Sequence, residues 1–143
     1  MNRKKILITL TSFCSLLMIN LTSAATSADQ CQQANDNTIS PSTISRCLDG
    51  VIEQVDRELQ TWVNLHTLNL EEKALENGRY SSLKMFKRAQ SNFITYREND
   101  CRWQYLAVSP DKRASLAYKT CYVLLSENRI KALSKIHIKE PGQ

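Results

Sequence analysis

The chain has 143 residues, only three glycines and a formal net charge of +5. That length accommodates one domain and is short for two, and no glycine-rich phosphate loop occurs in it. Arg3, Lys4 and Lys5 supply three of the five charges, and no glycine-rich or aromatic-basic motif accompanies the rest, which argues against nucleic acid as a partner.

Met1-Asn2-Arg3-Lys4-Lys5 opens the chain, an apolar run extends from Ile6 to Leu21, and Ser23, Ala24, Ala25, Ser27 and Ala28 follow. This is the three-part layout of a secretory signal peptide. Residues 1–25 are read as that signal, cut after Ala24 or Ala25, with Ala28 as the alternative. The run is interrupted by Thr9, Thr11, Ser12, Ser15 and Asn20, and it falls short of the ~20 predominantly apolar residues of a spanning helix. No stable membrane span is therefore expected after cleavage. Cys14 follows Phe13, where a lipidated cysteine would follow a small residue, and it departs with the signal. The mature chain is expected in the periplasm or outside the cell.

Residues 26–41 are polar, contain Cys31 and read as an irregular lead-in. Ser40-Pro41-Ser42 is a helix-start signal, with Ser42 or Thr43 as the cap. Ile44, Cys47, Leu48, Val51, Ile52, Val55, Leu59, Trp62, Val63 and Leu65 then recur at helical steps. Leu68, Leu70 and Leu75 extend that face, a break is expected near His66–Asn69, and Asn77-Gly78 ends the helix. Ser81 or Ser82 caps a second helix with the stripe Leu83, Phe86, Ala89 or Gln90, Phe93, Tyr96 or Arg97, Cys101, Trp103 and Leu106. Ser109-Pro110-Asp111 is a turn, and a third helix carries Leu116, Ala117, Cys121, Leu124, Leu125, Asn128 and Leu133. The fold class is all-α: a small antiparallel helical hairpin or three-helix domain over 42–137, with a frayed tail at 138–143.

Cys31, Cys47, Cys101 and Cys121 survive cleavage, an even number in a small exported chain, which predicts two disulfides. Cys101 and Cys121 each stand ten residues from Asp111, so an antiparallel hairpin sets them opposite each other, provided the faces agree. That leaves Cys31 with Cys47. No Cys-x-x-Cys pair exists, and His66 and His137 are isolated, so no metal is expected.

Charge is uneven. From Asp29 to Gly78 the balance is −6, and from Arg79 to Gln143 it is +8. The two halves are expected to attract each other within the fold or to be solvated, a partner surface being the alternative. Gln90, Arg97 and Phe93 share a face of the second helix, and Arg97 can reach Asp100 or an acid on a facing helix. Gln90, Phe93, Tyr96, Arg97, Asp100 and Arg129 are candidates for a polar clamp between the second and third helices, or for a binding site.

Leu83, Ala89-Gln90, Phe93, Tyr96-Arg97 and Cys101 in this order resemble the signature of the lysozyme-inhibitor LprI-like N-terminal domain family. Cys121-Tyr122-x-x-Leu125-Ser126-x-x-Arg129-x-x-x-Leu133 looks like the family's closing segment. Cys31, Cys47 and Asp56-Arg57-Glu58-Leu59 resemble its opening. The resemblance covers nearly the whole mature chain. Phe93 stands where tryptophan is usual, and Glu98 follows Arg97 where aspartate is common. The resemblance implies export, helices, internal disulfides and inhibition of lysozyme.

Lysozymes act with two carboxylates in a cleft, which an inhibitor can fill. Many are cationic, and an acidic surface speeds encounter with them. Asp49, Glu53, Asp56, Glu58, Glu71, Glu72 and Glu76 offer such a surface. The alternative is a structural or stress-related envelope protein, or an antagonist of another secreted protein. No catalytic motif occurs, so a non-enzymatic protein without a cofactor is expected.

Overall fold

The computed structural model describes residues 27–33 and 40–136. The signal segment, Cys14, His137 and the tail lie outside them. Four helices follow in order: α1 (Ser27–Gln33), α2 (Pro41–Asn77), α3 (Ser81–Val108) and α4 (Ala114–Ser134). The three predicted helices are α2, α3 and α4. The lead-in differs from expectation, because α1 forms inside it.

Helix α2 begins two or three residues earlier than the Ser42 or Thr43 cap implies. Ser40 is the extended cap residue, Pro41 occupies the first turn, and the Ser40 hydroxyl bonds the Ser42 and Thr43 hydroxyls, making no side-chain cap bond. No break interrupts α2 at His66–Asn69. Its 37 residues span about 55 Å at 1.5 Å per residue. Gly78 ends it with φ 70°, its N–H bonding the Ala74 carbonyl at 2.9 Å. Only glycine adopts that left-handed turn without steric cost.

The tight turn after Gly78 sends α3 back antiparallel, and the turn at 109–113 reverses the chain again. There the Asp111 carboxylate accepts the Arg113 N–H at 2.8 Å and its guanidinium at 2.9 Å. These bonds hold the Asp111 carboxyl at about 2. Helix α4 runs parallel to α2 and packs closely on both α2 and α3, which touch each other less. Ala28 and Cys31 of α1 join Leu48, Val55, Leu59, Val123, Ile130 and Leu133 in the core. Cys31–Cys47 and Cys101–Cys121 are the two disulfides, with Cα separations of 5.8 and 5.4 Å.

The lengths of the helices decide what is covered. His66 is buried against Trp62 and Phe86 and donates from Nε2 to the Leu133 carbonyl at 3.0 Å, where α4 ends. A carbonyl only accepts, which sets the direction. Helix α2 continues eleven residues past His66. There, among the described residues, it pairs with the start of α3 alone, in an arm about 16 Å long. Ala74 and Leu83 face inward in this arm, while Leu68 and Leu75 are 64% and 76% exposed. Leu65, Trp103 and Leu106, expected on apolar stripes, are exposed as well. So are Leu124 and Asn128 on α4, a helix in contact with three others, whose buried positions do not form a single stripe. Among the described residues no helix is long and apolar enough to cross a membrane.

Part of the charge asymmetry is matched inside the molecule. Lys119 pairs with Asp49 at 2.6 Å, Lys87 with Glu71 at 2.9 Å and Arg97 with Asp56 at 3.2 Å. Each pair joins the acidic first half to the basic second half.

Candidate functional site

Leu83, Gln90, Arg97 and Cys101 are the buried positions of α3. Their spacing of seven, seven and four residues keeps them on one face of a 3.6-residue helix. At the two positions where the sequence allowed either neighbour, Gln90 and Arg97 turn inward while Ala89 and Tyr96 turn outward. A polar pair therefore stands where an apolar stripe would place alanine and tyrosine.

Arg97 is 6% exposed and ties three helices together. Its Nη1 donates to Ser126 Oγ on α4 at 2.8 Å and to Asp56 Oδ1 on α2 at 3.2 Å. Its guanidinium lies 3.8 Å from the centre of the Tyr122 ring. Tyr122 donates its hydroxyl to the Asp56 carboxylate, 3.0 Å from either oxygen, and Ser126 donates to the Tyr122 carbonyl at 2.7 Å. Cation, ring, carboxylate and hydroxyl thus close a network that the sequence identified only at Arg97. Asp56, Tyr122 and Ser126 were visible as parts of family-like segments. A serine four residues after a tyrosine on a core-facing helix was the available signal.

A second link lies one helical turn or more away. Arg129 donates from Nε to Gln90 Oε1 at 3.3 Å. Phe93 lies between the two cations, 5.6 Å from the Arg97 guanidinium and 5.7 Å from that of Arg129. Burial lowers the Arg129 pKa from its ordinary value. Asp100 does not meet Arg97; it accepts from Trp103 Nε1 at 3.1 Å and Gln104 Nε2 at 3.3 Å. Tyr96 is 54% exposed and outside the network. The predicted group thus divides, with Gln90, Phe93, Arg97 and Arg129 inside and Tyr96 and Asp100 outside.

Burial, opposed by the Arg97 charge and reinforced by the bond to Asp56, pushes the Tyr122 hydroxyl up to about 12. A tyrosine pKa raised on folding contributes stability in full below its unfolded value of about 10. That contribution is lost as pH rises through about 12. A spectrophotometric titration is expected to show a late tyrosinate phase near that pH, absent in Tyr122→Phe. The variant's stability should also fall less steeply across this window. A late phase that survives in Tyr122→Phe would reassign it.

Among the described residues, no group of three or more His, Cys, Asp or Glu side chains is placed to hold a metal ion. The fold and its clamp define a small helical bundle cross-linked twice by disulfides. Within that class, the family model for lysozyme inhibitor LprI matches residues 31–133, and the chain belongs to that family. The match opens on the first bridged cysteine and closes on Leu133, the residue that His66 holds. No curated protein and no solved structure matches the chain.

Proposed function

We propose that this protein is an exported, non-enzymatic inhibitor of lysozyme or a related cell-wall hydrolase, and that it docks through the outward face of α3. Membership of the lysozyme inhibitor family carries the reading. Two disulfides suit an oxidising compartment such as the bacterial envelope. Asp49, Asp56 and Glu71 are engaged by cations of α3 and α4, so the acidic half of the chain is a weaker docking surface than its sequence suggests.

The face of α3 offers a different chemistry. Met85, Ala89, Asn92, Tyr96, Asn99 and Trp103 are all exposed and recur at alternating steps of four and three. That periodicity keeps them in one stripe, about 27 Å long. Trp103 is 58% exposed, and its indole is held by the Asp100 carboxylate. Tryptophan, tyrosine and methionine are enriched at protein interfaces, and the aromatics commonly dominate binding energy. An indole already fixed in place loses less freedom on docking.

The test is a lysozyme panel with the oxidised protein. The double variant Tyr96→Ala/Trp103→Ala is expected to weaken inhibition about 100-fold or more, with its melting temperature unchanged. Full inhibition by the double variant would move the docking surface elsewhere. Failure of the wild-type protein to inhibit any lysozyme class at micromolar excess would end the inhibitor reading.

A further inference from the structure

A groove of about 440 Å³ lies between α2 and α3, lined by Asp56, Leu59, Gln60, Val63, Gln90, Ser91, Ile94 and Arg97. Two of these lining residues, Gln90 and Arg97, are at least nine-tenths buried and each carries an unspent donor. Arg97 uses Nη1 for its bonds to Asp56 and Ser126, while its Nε–H has no acceptor. Gln90 uses its oxygen to accept from Arg129, which fixes the amide orientation and leaves Nε2 without a partner. Leaving a buried N–H unpaired is costly, so an acceptor supplied at these atoms is favoured. We propose that this groove is a ligand site that takes the acetamido group of an N-acetylated amino sugar.

Charge selects a neutral acceptor. The Arg97 cation is already matched by the Asp56 carboxylate at 3.2 Å, so neither an anion nor a cation gains a net counter-charge at the groove. A carbonyl oxygen meets the free N–H groups without disturbing that pair. Leu59, Val63 and Ile94 supply an apolar wall for the methyl of an acetyl group. Gln60 and Ser91 stand exposed at the rim, where ring hydroxyls would lie. The free N–H groups themselves are shielded from solvent. An acceptor therefore reaches them only if side chains lining the groove shift as the ligand enters. A volume of this size is typical of small-ligand sites. An extended peptide fits less well, because helices spend their main-chain hydrogen bonds internally and leave no strand edge to pair with it.

The groove is separate from the docking stripe: Ser91 and Ile94 project from α3 in directions well removed from Tyr96 and Trp103 by helical periodicity. The site can therefore be tested without reference to lysozyme inhibition. Calorimetric titration of the oxidised protein with the N-acetylglucosamine trimer is expected to show saturable binding. The fully de-N-acetylated trimer is expected to bind at least about tenfold more weakly, and so is Ser91→Trp, which fills the groove from its exposed rim with wild-type melting. Gln90→Leu should lose a similar factor through the missing donor. Four outcomes would overturn the assignment: no saturation by the acetylated trimer up to about 10 mM, equal affinity for the two trimers, wild-type binding by Ser91→Trp, or tighter binding of N-acetylalanine amide than of the sugar.

Discussion

Reduction of both disulfides is expected to bring the protein to the edge of unfolding at physiological temperature. Cys101 and Cys121 are buried in the hairpin of α3 and α4, and their bond closes a separation of 20 residues. Cys31 is equally buried and holds the seven-residue α1 to α2 across a separation of 16. Restricting loops of this size in the unfolded chain contributes about 3 kcal/mol for each bridge. Together that is comparable with the whole stability of a small domain. The bridges do different work in the folded state. Without Cys31–Cys47, a helix too short to be stable alone loses its tether, and Leu48 and Val123 lose the cover of Ala28 and Cys31. Without Cys101–Cys121, the hairpin of α3 and α4 loses its covalent link. Circular dichroism should show the melting temperature falling by about 15 °C for either Cys31→Ala/Cys47→Ala or Cys101→Ala/Cys121→Ala. A fall below about 5 °C for both pairs would show that packing alone holds the bundle.

Arg97→Ala is expected to lower unfolding free energy by about 3 kcal/mol. The side chain makes two charge-assisted hydrogen bonds to different helices and stacks on Tyr122. Its removal loses those bonds, opens a cavity beside Phe93 and leaves Asp56 facing only Tyr122. Removing one member of a fully buried ion pair costs more, but the Asp56 side chain is 43% exposed. Water rehydrates the orphaned carboxylate and keeps the loss near that figure. Arg97→Lys should recover less than half of it, since an ammonium cannot bridge Ser126 and Asp56 while lying flat on the ring. Urea denaturation decides the matter: a shift of the midpoint at constant slope corresponding to less than about 1 kcal/mol would mean the clamp is not a principal support of the fold.

Both expectations concern residues legible in the sequence, but to different depths. The pairing of Cys101 with Cys121 followed from their equal distance from Asp111, because a hairpin converts sequence distance into position. Arg97 was legible as a clamp residue, yet its partner on α2 was not. Asp56 sits on a helix face that reads as solvated, and only the register of α2 against α3 and α4 brings it within 3.2 Å of the guanidinium. Asp100, three residues from Arg97 and the nearer acid in sequence, went to Trp103 and Gln104.

What the sequence by itself determined is local in origin. Helical periodicity placed α2, α3 and α4, Gly78 ended α2 in a left-handed turn, and the cysteine spacing specified the bridges. Periodicity did not decide which of two adjacent residues faces inward, Ala89 or Gln90, Tyr96 or Arg97. Nor did it show that Leu68 and Leu75 would be left uncovered. Those outcomes depend on how many helices surround a given turn and on where each neighbour stops. Helix α4 ends at Ser134 while α2 continues as an arm, so the same leucine spacing that forms core beside α4 forms surface beyond it. The polar pair turns inward because tertiary packing supplies Asp56, Ser126 and Arg129 as partners, and no sequence window contains all of them.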